Sequence, residues 1–321
     1  MTWGYVLRRT IMTIPAIFGI LTISFVLVYL VPGDPSHLLA GENATEQRLA
    51  EIEEQFGFQK PVLTQYTTYV SNVVRGDLGS SYTHGEPVRH VIWRQLWPTV
   101  VLTGSALLVS TVVGIAAGVL VARRPFGLVD QGVSFGVLLG YSLPTFWLGQ
   151  LAILLFAIKL GWFPIGGMED LRNPTTGLAH IQDVAFHLVL PCLTLAAAEV
   201  AVLLRVTRGG LLEQLGSDYA RTARAKGVPP GKVVSRHALP NALLPVVTVI
   251  GARAGLLFSG AVIVETVFSW PGFGTLLVTA ARDGDRPLML GGILLIAVTV
   301  VVFNVVTDLA YAKIDPRVSY G

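Results

Sequence analysis

The chain has 321 residues, of which 52% are hydrophobic and 13% charged, whereas an ordinary soluble domain carries about 25% charged residues. Its net charge of +3 comes with no basic patch interleaved with aromatics, which leaves nucleic-acid binding unsupported and fits cations retained on the cytoplasmic side of a membrane. The single cysteine, Cys192, lies in an apolar run; it excludes an intramolecular disulfide and a cysteine-based metal site, and reads as a small buried residue.

The apolar residues come in blocks. A backbone in lipid must satisfy its own hydrogen bonds, so such blocks read as spanning helices. Six are predicted: 10–31, 99–121, 132–158, 186–206, 241–268 and 288–312. Each holds the ~20 apolar residues needed to cross hydrocarbon. The predicted fold is therefore an all-α integral membrane protein with about six spans. Arg8 and Arg9 before the first block resemble a signal peptide. The run is too long for an h-region and no small-residue cleavage site follows, so it reads as a retained first span. The chain divides into the first span (1–31), a long loop (32–97) and a five-helix core (98–321).

The long loop reads as ordered. Thr45 is a helix N-cap, Leu49, Ile52 and Phe56 follow at helical spacing, and Gly57 is a stop. A second helix runs from Pro61 to Gly76, and Gly76–Ser81 reads as a turn. Placing the N-terminus in the cytoplasm puts thirteen Lys and Arg inside and nine outside. The predicted topology is N-in and C-in, with 32–97 outside. Small residues recur four apart at Gly114 and Gly118, at Gly132, Gly136 and Gly140, and at Gly251 and Gly255. That spacing allows close helix approach, within the chain or against another subunit.

The cytoplasmic loop 207–240 carries the sharpest pattern. Ser217 or Asp218 caps a short helix, and Gly227 with Pro229 and Pro230 ends it. Ala220, Ala223 and Gly227 share a face, flanked by Arg221 and Arg224. A helix this short is marginal alone in water. A small face framed by positive charge suits a groove on another protein; the alternative is a solvated loop whose arginines obey the inside rule.

The stretch Tyr219-Ala220-Arg221-Thr222-Ala223-Arg224-Ala225-Lys226-Gly227 followed by His237, Leu239 and Pro240 resembles the coupling loop of ABC importer permeases. That family's pattern is Glu-Ala-Ala, three residues, Gly, nine residues, then Ile-x-Leu-Pro. Ala223, Gly227, Leu239 and Pro240 match it. Arg221, Thr222 and His237 stand where Glu, the first Ala and Ile are expected, as in the dipeptide and oligopeptide branch. Other marks of that branch follow in order: Pro32-Gly33-Asp34-Pro35, Gly76-Asp77-Leu78-Gly79, Ser142 to Gly149, Glu265 to Gly274, and Asp315-Pro316-Arg317. The opening motif and long loop resemble the first, B-type permease of such systems. The resemblance implies a type I permease fold in a bacterial inner membrane. It implies a second permease, two ATPase subunits or domains and an extracytoplasmic binding protein as partners, besides membrane lipid. Peptides are the implied substrate; nickel, glutathione or another small solute is the neighbouring alternative.

Chemistry within the chain is sparse. The nearest approach to a P-loop, Gly227 to Val233, is one residue short and lacks the hydroxyl. ATP and Mg would be bound by partner subunits, so no cofactor and no enzymatic activity are expected here. His37, His84, His90, His180, His187 and His237 form no metal pair at helical spacing. Glu199 and Arg253 are charges within spans, costly there and often functional; they contact substrate in the pathway, pair between the fourth and fifth spans, or sit nearer a lipid headgroup. Glu265, at the outer end of its span, either faces the binding protein or seals the gate. A self-sufficient secondary transporter, the reading from a different class, would need a coupling-ion site and repeated interrupted spans, and neither is evident.

Overall fold

A computed structural model describes residues 3–30, 36, 39 and 44–314. The motifs Pro32 to Pro35 and Asp315 to Arg317, and His37, lie outside the described residues. Among the described residues the structure is helical, with one isolated bridge between Ser80 and Pro87. The described residues form two compact units: those within 100–270 and 303–314, and those within 3–99 and 271–302.

The second unit begins with α1 (Trp3–Leu30). Two short helices follow, α2 (Glu46–Phe56) and α3 (Val62–Val74). Both keep the expected punctuation. Thr45 accepts from the Arg48 amide, Gly57 turns left-handed at φ 70°, and Pro61 precedes α3. Gly76 also has a positive φ, and the Asp77 carboxylate accepts from the Gly79 amide at 2.9 Å, which closes the turn. Phe25 and Val28 of α1 pack with Tyr66 and Tyr69 of α3. A second cluster joins the start of α4 (Val88–Ala122) to α11 (Phe273–Arg282) and to the start of α12 (Arg286–Ile314).

Sequence reading passed over one anchor in this unit. Asp285 is fully buried and accepts from Ser81 Oγ at 2.5 Å, from the Thr83 amide at 3.0 Å and from Thr83 Oγ1 at 2.8 Å. A buried carboxylate so bonded ties the 77–87 turn to the base of α12. Beside it, burial pushes the Tyr82 phenol up to about 12.

The first unit holds the rest of α4, then α5 (Leu128–Ser142) and α6 (Thr145–Ala152), which runs on as a π-helical stretch, Ile153–Lys159. After a loop come α7 (Leu178–Gly216), α8 (Asp218–Ala225) and the single turn α9 (Pro230–Lys232). A π-helical segment, Val233–Ala238, leads into α10 (Leu239–Val267). The core gathers Leu102 and Ala106 of α4, Leu195 and Ala196 of α7, and Ala261, Val264, Phe268 and Trp270.

Four stretches of the described residues are long and apolar enough to cross a bilayer: Val88–Ala122, Leu178–Gly216, Pro230–Gly255 and Arg286–Phe303. The third predicted span is no single rod. It bends by 105° between α5 and α6. The cause is Pro144, which lacks an amide hydrogen and drives Leu143 into extended backbone at φ −83°, ψ 137°. Residues 10–30 of the first predicted span lie on α1, whose 28 residues exceed the ~20 a crossing needs.

The glycine ladders separate by environment. A Cβ on Gly114 would stand 2.6 Å from Leu203 Cβ, and one on Gly118 2.6 Å from Thr207 Cβ. That ladder is the seam between α4 and α7 inside the chain. Gly132 and Gly136 face open space.

Candidate coupling segment and intramembrane ion pair

α8 is held by its own chain more tightly than its sequence suggests. Ala220 is fully buried and Ala223 nearly so, packed on Val233 with Leu215 and Val228 alongside. The small face of the helix therefore points inward. Its exposed face carries Tyr219, Arg221, Thr222, Arg224, Ala225 and Lys226. Of the three small residues expected to share a face toward a partner, Ala220 and Ala223 turn to their own chain while Gly227 stays exposed, and the rest of the outward face is polar and basic.

The caps explain the ends. Ser217 is the N-cap residue, but its hydroxyl turns back and donates to the Gln214 carbonyl at 2.6 Å. At the far end the Gly227 amide donates to Arg224 O at 2.9 Å and the Val228 amide to Ala223 O at 3.1 Å. Those two bonds, with Gly227 at φ 78°, make a Schellman stop. Nothing lies within 4 Å of a Cβ added to Gly227. Its glycine is required by backbone geometry rather than by a neighbour in this chain.

The arginines serve the chain as well as the surface. Arg224 donates to Leu215 O and, at 3.3 Å, to Ala220 O; Arg221 donates to Gly216 O at 3.3 Å and lies 3.5 Å from Asp218. Thr222 Oγ1 bonds Asp218 O within the helix. His237 sits half-buried in the π-helical segment, Leu239 packs against the Leu211, Val234 and Ala242 cluster, and Pro240 is exposed in the first turn of α10.

Glu199 of α7 and Arg253 of α10 meet at 3.3 Å. Glu199 is 8% exposed, and its Oε2 has no hydrogen-bond partner. The expected ion pair between the two helices is present. Glu265 is fully enclosed by its own chain. Its backbone carbonyl accepts from the Trp270 amide at 2.8 Å, where Ser269 takes a positive φ of 50°. That burial corrects the reading of Glu265 as a surface for a binding protein. The Phe268 carbonyl accepts from the Gly167 amide at 2.8 Å, and a Cβ on Gly166 would stand 2.4 Å from the same oxygen.

A second ion pair went unread in the sequence. Arg208 of α7 binds Asp130 of α5 through Nε at 3.0 Å and Nη2 at 2.7 Å, and the Phe126 amide and Ser134 Oγ bond the same carboxylate. Such two-pronged pairing is among the stronger charged contacts. The partners lie 78 residues apart, beyond any local pattern. Among the described residues no group of His, Cys, Asp or Glu could hold a metal ion.

Two family models cover the chain: the N-terminal part of binding-protein-dependent transport system membrane components over residues 2–103, and the inner membrane component of such systems over residues 114–320. The chain belongs to this family of inner membrane transport components. Its curated relatives match from end to end. A di/tripeptide transport system permease of Pseudomonas aeruginosa is 40% identical over 99% of both chains. An oligopeptide transport system permease of Bacillus subtilis is 39% identical over 99% of both. The dipeptide transport system permease of Escherichia coli K12 is 38% identical over 98% of both. The inward-facing MetNI methionine ABC transporter matches in fold alone, with a TM-score of 0.56 at 19% identity, over 70% of this chain and 96% of that one. The family is an inner-membrane one, so this permease is a multi-pass membrane protein, as its apolar helices require. The expected membership in the peptide-transport branch of ABC importer permeases is borne out.

Proposed function

We propose that this permease forms one half of the membrane pathway of an ATP-driven peptide importer, with α8 as the element that meets the ATPase. The observation that carries the reading is the exposed basic face of α8, mounted on a packed base between α7 and α10. Full-length likeness to dipeptide and oligopeptide permeases supports the substrate class. A second permease completes the pathway, two ATPase subunits or domains bind ATP and Mg, and an extracytoplasmic protein delivers substrate. The chain lies N-in and C-in, with six spans and the 32–97 loop outside. Closure of the ATPase pair displaces α8, which passes the displacement to the spans and switches access from one side to the other. Reconstitution tests this directly. The purified chain alone should neither hydrolyse ATP nor concentrate peptide, and both activities should appear with the partners. Concentrative uptake by the chain alone would sink the proposal and favour a secondary transporter.

A further inference from the structure

The Tyr219 phenol stands where three helices meet. Its hydroxyl donates to Gln214 Oε1 at 2.6 Å and accepts from Asn241 Nδ2 at 3.2 Å. Gln214 belongs to the last turn of α7, Tyr219 to the first turn of α8 and Asn241 to the first turn of α10. One oxygen, used as donor and as acceptor, thus links all three. Around it the terminal carbonyls of α7 at Gln214, Leu215 and Gly216 accept from Ser217, Arg224 and Arg221 in turn. Those carbonyls have no partner within an α-helix. With one residue, Ser217, between α7 and α8, the corner cannot tilt without breaking these bonds.

The same two spans are joined again farther along. Gly210 lies so close to α10 that a Cβ there would stand 3.0 Å from the Ala242 carbonyl. The Glu199–Arg253 pair then closes α7 on α10 at about 20 Å from the tyrosine, taking ~1.5 Å per residue along each helix. Helices tied at both ends of such a stretch move as one body.

We infer that Tyr219 is a positioning residue that ties α8 to α7 and α10 together, so that displacement of α8 moves both spans as a unit. This rests on the proposed role of α8 as the ATPase contact. Tyr219 acts within the chain, through its hydroxyl. The ring is 40% exposed, so removing the oxygen opens no cavity.

The test uses the assembled importer, with Tyr219→Phe, Gln214→Leu and the double variant. Deuterium exchange should rise in Tyr219→Phe both in α8 and in the first turns of α10. In Gln214→Leu, which breaks the same link from the α7 side, ATPase subunits should stay bound and binding-protein-stimulated ATP hydrolysis should stay within about twofold. Peptide moved per ATP should fall about fivefold, the size of one lost hydrogen bond of ordinary strength. The double variant should be no worse than Tyr219→Phe, because both break one link. Exchange confined to α8, an unchanged ratio of peptide to ATP, or loss of the ATPase subunits from Tyr219→Phe would each overturn the inference, the last by making Tyr219 a docking contact. A Lys226→Cys crosslink to the ATPase in an otherwise unaltered chain checks the underlying role separately. Its absence would sink α8 as the contact, whatever the exchange data say of the link to α10.

Discussion

Gly227 offers a clean separation of backbone demand from partner contact. At φ 78° an L-residue pays the left-handed penalty, about 1–2 kcal/mol. Since nothing lies within 4 Å of an added Cβ, the surrounding chain adds no steric cost to a methyl group there. Gly227→Ala should therefore weaken the stop of α8 by about 1–2 kcal/mol, roughly a 5- to 30-fold shift in its local folding equilibrium. Gly227→Asn should cost less, because Asn visits the left-handed region more readily. Gly227→Trp should match Gly227→Ala if the site stays open in the assembled importer. It should be far worse if an ATPase covers it. The assay is retention of ATPase subunits on the purified permease, read beside peptide uptake at matched membrane expression. Asn restoring less than Ala would refute the backbone argument. Equal retention for Ala and Trp would place Gly227 away from the partner surface.

Arg253→Met should destabilise the purified chain, since it leaves the Glu199 carboxylate buried without its cation. The cost should fall below the ~3–5 kcal/mol of a fully enclosed pair, because the Arg253 side chain is 33% exposed; adding Glu199→Gln should recover most of the loss in a thermal melt. Gly118→Leu should prevent stable folding by forcing α4 from α7, while Gly136→Leu should melt like the unaltered chain. Loss of uptake in Gly136→Leu at unchanged stability would reveal a partner on that open face. Because the Tyr82 phenol is pushed up to about 12 in the fold and ionises near 10 when unfolded, its contribution to stability is present below pH 10 and fades as pH rises towards 12. Tyr82→Phe should flatten that alkaline loss, and an unchanged alkaline melting profile would count against it.

Much of this was legible because it is written locally. Thr45, Gly57, Pro61 and Gly227 act through the backbone of their immediate neighbours, and each does what its chemistry predicts. The apolar blocks mark spans because lipid leaves a backbone few choices. What could not be read depends on partners distant in sequence. Arg208 finds Asp130, and Asp285 finds Ser81 and Thr83, through packing that no local spacing encodes. The inward turn of Ala220 and Ala223 has the same origin. An alanine face reads alike whether it meets another protein or its own chain, and Val233 decides the matter. Pro144 stands within a recognisable motif, yet only the geometry shows it as a corner.

That corner restricts what can surround the chain. α5 has 15 residues and so reaches only about 22 Å, too short to cross hydrocarbon alone. Where it stops, its last carbonyls lose their helical partners. Ser142 Oγ donates back to Leu138 O at 2.8 Å and so gives no hydrogen to the carbonyls that follow. Tyr141, Ser142 and Pro144 are all exposed in the isolated chain. Unsatisfied backbone groups in lipid cost several kcal/mol each, so irregular backbone at that depth survives only against protein or water. Set at hydrocarbon depth, the bend between α5 and α6 would need protein or water against it, and a lone copy of this chain in a bilayer would carry an unhealed wound there.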